Sequence, residues 1–243
     1  MQTGPADVLE VREVYKRFGG IEALRGVSIR VRRGELFGVI GPNGAGKTVL
    51  LNVITAIYAP DGGEVFVNSV PINGMRPHEV AKLGVARTFQ ITRYFPEMTV
   101  LQNVLTALYA TRRDMNASDK LRVAVEALEA VGLGEVKDLK AKSLSGGQKK
   151  LLEFARLIAS NANLLLLDEP FAGVNPIIIG RMVKVLKELA ERGVSIVVVS
   201  HELNVVSKLC NRVAVLSRGE KIAEGSLREV ALMQEVKRAY LGS

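Results

Sequence analysis

The sequence predicts an α/β fold with a parallel-sheet core, an antiparallel β portion near the N-terminus and an α-helical insert over about residues 91–160. Three observations predict it. Asn163 to Leu167 and Val194 to Val199 are continuous apolar runs, the pattern of central parallel strands covered on both faces. Residues 8 to 40 instead set β-branched side chains at Val11, Val14, Val27, Ile29 and Val31 between turn signals. From 100 to 160 the apolar spacing becomes helical and strand signals thin out.

Taken in order, the N-terminal strands are separated by turns at Phe18-Gly19-Gly20 and Arg32-Arg33-Gly34. Glu35 to Ile40 reads as a buried strand and Val49 to Ile57 as a helix. A strand at Glu64 to Asn68 follows the Pro60-Asp61-Gly62-Gly63 turn. Helical spacing covers Leu101 to Ala110, Asp119 to Val131 and Gly146 to Ser160, with Thr111 to Ser118 as a polar link. Pro176 to Arg192 is a helix between the two apolar runs. Val213 to Leu216 and Lys221 to Ala223 read as strands around Arg218-Gly219. No internal repeat divides the chain. It reads as a single domain over 1–243, with its core at 1–90 and 161–243 and the helical subdomain between them.

Composition narrows the class. An apolar fraction of 48% and a charged fraction of 24% suit a soluble globular protein of 243 residues. No apolar run approaches the roughly 18 residues that span a bilayer. Met1 to Val11 carries acids and no apolar block, so no signal peptide is expected and the chain reads as cytosolic. The one cysteine, Cys210, sits among Val205, Val206 and Leu209 and reads as a core thiol. Two histidines and that cysteine cannot build a conventional zinc site. The net charge of +8 suggests polyanionic company. The densest patch, Lys137, Lys140, Lys142, Lys149 and Lys150, has no interleaved aromatics for base stacking. A solvated basic face fits it better than a nucleic-acid site.

Gly41-Pro42-Asn43-Gly44-Ala45-Gly46-Lys47-Thr48 fits the phosphate-binding loop pattern between a strand and a helix. Its glycines let backbone amides approach phosphate oxygens, and the following helix N-terminus adds donors and dipole. Lys47 is a point charge for the β- and γ-phosphates, and the Thr48 hydroxyl can ligate Mg²⁺. Asn163 to Leu167 ends in Asp168 and Glu169 at the carboxyl end of a strand, where ligands bind in open α/β sheets. Asp168 is placed to hold Mg²⁺ through its water shell, and Glu169 to orient or deprotonate an attacking water.

Leu144-Ser145-Gly146-Gly147-Gln148 supplies a second anion-binding helix start, with Ser145 as its cap. One domain cannot easily wrap both anion sites round one ATP, so a second copy is implied. With this stretch, the phosphate loop and the paired carboxylates, the sequence resembles the ABC ATPase family along nearly its whole length. The resemblance implies a P-loop NTPase core of RecA-like type. It also implies head-to-tail pairing in which one subunit's signature closes on the γ-phosphate held by the other. Gln90 matches the glutamine that touches Mg²⁺ and the attacking water. His201 matches the histidine that contacts the γ-phosphate, and Phe18 the aromatic that stacks on adenine, with Tyr15 as the alternative. Gly173-Val174-Asn175 stands where the family has its D-loop, with Asn175 in place of the usual acid. Val49 replaces a hydroxyl that the family sets on the α-phosphate; a hydrogen bond to a charged group is worth about 1.5–3 kcal/mol, so ATP affinity below the maximum is expected.

Finer features are similar to the ATP-binding subunits of branched-chain amino acid importers. They are Ala86 to Gln90, Arg93, Phe95 to Val100, Ala172 to Pro176 and Ala239-Tyr240-Leu241-Gly242. That resemblance implies a prokaryotic importer's ATPase subunit, peripheral on the cytoplasmic face of the membrane. Its implied partners are a second ATP-binding subunit, separate permease chains and, indirectly, a solute-binding protein. An ATP-binding subunit of a lipid or polysaccharide exporter, or of a urea or amide importer, is the alternative. Ile91 to Thr99 is unusually apolar for a connector, and Tyr94 and Phe95 are expected to line the permease socket.

Overall fold

The computed structural model describes residues 7–88, 94–112 and 114–241. Strands β1 (Asp7–Phe18) and β2 (Ile21–Arg32) form an antiparallel hairpin. The chain then enters the buried strand β3 (Leu36–Ile40) and helix α1 (Lys47–Ile54). Strands β4 (Gly62–Val67) and β5 (Val70–Pro71) complete an antiparallel sheet in the order β2-β1-β4-β5. Helix α2 (Pro77–Lys82) and the short strand β6 (Val85–Arg87) lead to the helical region. That region holds α3 (Val100–Thr111), α4 (Ala117–Val131) and α5 (Gly146–Ala159). Strand β7 (Leu164–Asp168), helix α6 (Pro176–Glu191), strand β8 (Ser195–Val199) and helix α7 (Leu203–Leu209) return to the core. The hairpin of β9 (Arg212–Ser217) and β10 (Glu220–Gly225), then α8 (Leu227–Leu232) and α9 (Gln234–Leu241), end the described chain.

The second sheet runs β10-β9-β3-β8-β7-β6, parallel throughout except for β10. Its central strands are apolar except at Asp168, which ends β7, and Ser195, which opens β8, because both faces are covered. Phe37, Val39, Leu164, Leu166, Val197 and Val199 pack toward α1 and the antiparallel sheet. Leu36, Ile40, Leu165, Leu167, Ile196 and Val198 pack toward the helices, in one cluster with Val104, Leu128, Leu152 and Phe154 of α3–α5. The period of two along each strand thus divides one leucine- and valine-rich run between two layers. Among the described residues no helix is long and apolar enough to cross a membrane.

Two differences from the sequence expectation have local causes. Helix α1 begins at Lys47, inside the glycine-rich motif, because Gly46 in left-handed backbone (φ 99°) already caps it. It ends at Ile54 rather than Ile57: Ala56 turns left-handed (φ 55°), and the amides of Ile57 and Tyr58 both donate to the Asn52 carbonyl. Strands β5 and β6 and helices α2 and α8, none longer than six residues, are too short to leave a period in the sequence. Cys210 lies buried at the end of α7, as expected of a core thiol.

Candidate nucleotide and metal site

Strand β3 delivers the loop 41–46 to the carboxyl edge of the parallel sheet. Gly41 cannot be another residue there, since a Cβ would stand 2.1 Å from the Leu216 carbonyl oxygen of β9. The loop is tied to the β9–β10 turn by the Gly219 amide, which donates to the Ala45 carbonyl at 3.1 Å. Lys47 folds back over the loop, its ammonium donating to the carbonyls of Gly41 (2.7 Å) and Pro42 (2.9 Å). Burial pushes its pKa down, against the opposing pull of the Glu169 and Asp168 carboxylates. Asn43 to Val49 form one wall of a cavity of about 670 Å³, and Lys150, Glu169, His201 and Arg218 stand on other sides.

Beneath this cavity the Thr48 hydroxyl donates to Asp168 Oδ1 at 3.3 Å. Asp168 ends β7 almost fully buried; its amide donates to Thr88 Oγ1 (3.0 Å), and its Oδ2 pairs with Arg87 Nη2 at 2.9 Å. The next residue, Glu169, has left-handed backbone (φ 46°) held by its amide bond to the Val199 carbonyl (2.9 Å). Its side chain lines the cavity. Glu169 Oε2 accepts the His201 amide at 3.3 Å and lies 2.9 Å from His201 Nδ1. Phosphate cradle, ammonium and two carboxylates therefore converge from β3, α1, β7 and the end of β8.

A hydroxyl and a single carboxylate oxygen, both hard donors, fit Mg²⁺, which keeps waters and takes substrate phosphates as further ligands. Among the described residues there is no group of three or more His, Cys, Asp or Glu that could hold a metal by itself. A metal at Thr48 and Asp168 would therefore rely on the phosphates it arrives with.

The other expected residues lie apart from this cavity or outside the described residues. Leu144 is buried and Ser145 caps α5, its Oγ accepting the Gln148 amide (3.3 Å) while Gln148 Oε1 accepts the Ser145 amide (2.9 Å). Gly146 and Gly147 form the first turn of α5. None of Leu144 to Gln148 lines the cavity of its own chain. Asn175 caps α6, its Oδ1 accepting the Ile177 amide at 2.9 Å. Phe18 packs edge-to-face on Tyr58 with ring centroids 5.1 Å apart; it does not line the cavity, although its strand partner Ile21 does. Tyr15 lies against Gly26 and Gly62 and is likewise outside the cavity lining. Gln90 lies outside the described residues. Tyr94 is half-buried with Lys149 Nζ 5.4 Å from its ring centre, whereas Phe95 is 47% exposed. Arg87, Lys150 and Arg218 are site residues that sequence reasoning missed. Only Arg87 had a signal, its position just before Thr88 and Gln90.

The family described as ABC transporter matches residues 24–172. The chain is 39% identical over 246 residues to a "Probable branched-chain amino acid transport ATP-binding protein LivG" of Archaeoglobus fulgidus, covering 97% of this chain and 96% of that one. It is 34% identical to the "High-affinity branched-chain amino acid transport ATP-binding protein LivG" of Escherichia coli, covering 97% of this chain and 98% of that one. Among solved structures, the ADP conformation of an ATP-binding cassette of an ABC transporter superposes with a TM-score of 0.87 at 33% identity, over 98% of this chain and 100% of that one. A dimeric bacterial ABC transporter cassette superposes with a TM-score of 0.82 at 30% identity, over 90% of this chain and 99% of that one.

Proposed function

This chain belongs to the ABC transporter family, and from that premise we propose that it is the ATP-hydrolysing subunit of an importer for branched-chain amino acids whose membrane-spanning chains are separate. One observation carries the ATPase reading: the Glu169 carboxylate is turned into the same cavity as the Lys47 loop, directly after the Thr48–Asp168 pair. The substrate assignment leans on the names of the relatives, which cover nearly the whole chain.

ATP phosphates would take the loop amides, and the Lys47 ammonium would exchange its carbonyl partners for phosphate oxygens. Thr48 and Asp168 would hold Mg²⁺, which would neutralise charge on the phosphates. Glu169 accepts the proton of the water that attacks the γ-phosphorus, as the bond to the bridging oxygen breaks. His201, 2.9 Å from Glu169, fixes the direction of that carboxylate. The signature at Ser145 does not line its own cavity, which supports a dimer in which it meets ATP on a second subunit. Such a dimer would sit peripherally on its permease at the cytoplasmic face of the membrane.

Glu169→Gln should lower turnover by about 10²–10⁴ while retaining ATP, since only the general base is lost. Lys47→Ala should lose both binding and turnover. Calorimetry for affinity and phosphate release for turnover separate the two; wild-type turnover in Glu169→Gln would move the base elsewhere. Co-purified permease that responds to a lipid and not to branched-chain amino acids would reject the import assignment.

A further inference from the structure

The two oxygens of Asp168 are committed in opposite directions. Oδ1 faces the Thr48 hydroxyl at 3.3 Å, while Oδ2 is 2.9 Å from Arg87 Nη2. The ion pair is almost out of solvent, with side-chain exposures of 5% for Arg87 and 2% for Asp168. The guanidinium is itself anchored: Nη1 donates to Asn52 Oδ1 at 2.6 Å and to Thr55 Oγ1 at 3.2 Å. Asn52 lies in α1 and Thr55 caps its end, Arg87 ends β6, and Asp168 ends β7. One planar fork therefore joins three elements at the point where the carboxylate meets the phosphate loop.

A buried Arg–Asp pair gains little stability by itself over an apolar filling, because desolvation offsets most of the attraction. It also withdraws negative charge from a carboxylate that would bind a cation. Its geometric effect is specific, however. An unclamped carboxylate could rotate and offer a metal either oxygen or both. With Oδ2 held by a rigid donor fork, Oδ1 alone is presented beside Thr48. One presented oxygen, reaching the cation directly or through one of its waters, would leave Mg²⁺ its other waters and the phosphates.

We propose that Arg87 is a positioning residue for the metal site, clamping Asp168 so that one oxygen faces the cation and the phosphates. The inference rests on Thr48 and Asp168 being the Mg²⁺ holders. Loss of a partner behind a metal ligand typically weakens metal affinity about 10–100-fold.

The test uses the full chain and reads Mn²⁺ in place of Mg²⁺. Mn²⁺ binding to the ADP-loaded protein is followed by electron paramagnetic resonance, and ADP affinity is measured separately in chelator. Arg87→Lys keeps the buried charge and removes the fork. It should weaken Mn²⁺ binding about 10–100-fold and change the Mn²⁺ spectrum, while metal-free ADP affinity stays near that of the wild type. Asn52→Ala removes the shorter of the two bonds that anchor Nη1 without touching Asp168, and should shift Mn²⁺ affinity in the same direction by less. It covers the case in which Arg87→Lys folds poorly. Wild-type Mn²⁺ affinity and spectrum in a folded Arg87→Lys or Asn52→Ala protein would overturn the clamp. If Asp168→Asn leaves Mn²⁺ binding unchanged, the metal-site reading falls and the clamp falls with it.

Discussion

Glu169 shows how backbone conformation, more than side-chain chemistry, makes a residue available for catalysis. A non-glycine residue at φ 46° carries a cost of order 1–3 kcal/mol that the surrounding structure must offset. Here the Val199 carbonyl and the His201 amide fix the residue from both sides. Cys210 illustrates the opposite environment. Burial pushes its thiol up to about 12, so the thiolate is scarce at every ordinary pH. Because the raised value favours the protonated form, its contribution to stability is complete below the unfolded thiol's pKa and is lost as pH rises toward about 12. Folded protein at pH 8 should accordingly resist iodoacetamide, and denatured protein should take up one equivalent. Mass spectrometry checks this, and rapid labelling of the native chain would contradict the buried assignment.

At the scale of elements, the start of α5 carries two tasks in the same residues. Ser145 and Gln148 satisfy each other's amides as a capping box, a structural device that needs no nucleotide. The same turn is the signature proposed to meet a partner's γ-phosphate. Ser145→Ala should destabilise the nucleotide-free chain by about 0.5–2 kcal/mol. For a chain of this size that is a melting shift of about 2–4 °C per kcal/mol. Ser145→Asp should keep the cap and the melting temperature, yet place a carboxylate against phosphate and abolish ATP-driven dimers in a Glu169→Gln background. Thermal melts and size-exclusion chromatography separate the two tasks. A dimer that persists in Ser145→Asp would mean the signature does not approach phosphate.

For the whole molecule, the decisive expectation concerns two copies. Each chain has a complete phosphate loop and carboxylate pair, but its signature does not line its own cavity. A Lys47→Ala subunit mixed with a Ser145→Arg subunit should therefore form one composite site, made of an intact loop from one chain and an intact signature from the other. Hydrolysis in the mixture above that of either variant alone is the expected result, with native mass spectrometry confirming the heterodimer. Heterodimers as inactive as their parents would count against a single composite site being sufficient.

The sequence by itself determined the α/β class, the central strands and the loop-forming glycines, because each of these writes a short-range pattern. Apolar continuity marked β7 and β8, helical spacing marked α3 to α5, and the residues from Gly41 to Thr48 match a local motif. The lone residues were legible only through resemblance. His201 on sequence grounds is an ordinary histidine after a strand, and its approach to Glu169 comes from the β7–β8 register. Tertiary structure alone decided that Phe18 rests on Tyr58 outside the cavity, and that Lys150 and Arg218 stand beside it. It alone also decided the pairing of Arg87 with Asp168, which lie 81 positions apart. That pair exists because β6, only three residues long, docks in parallel beside β7 with Arg87 opposite Leu166. A strand so short has no period of its own, so its place in the sheet is set by long-range pairing and packing that no local stretch of sequence encodes.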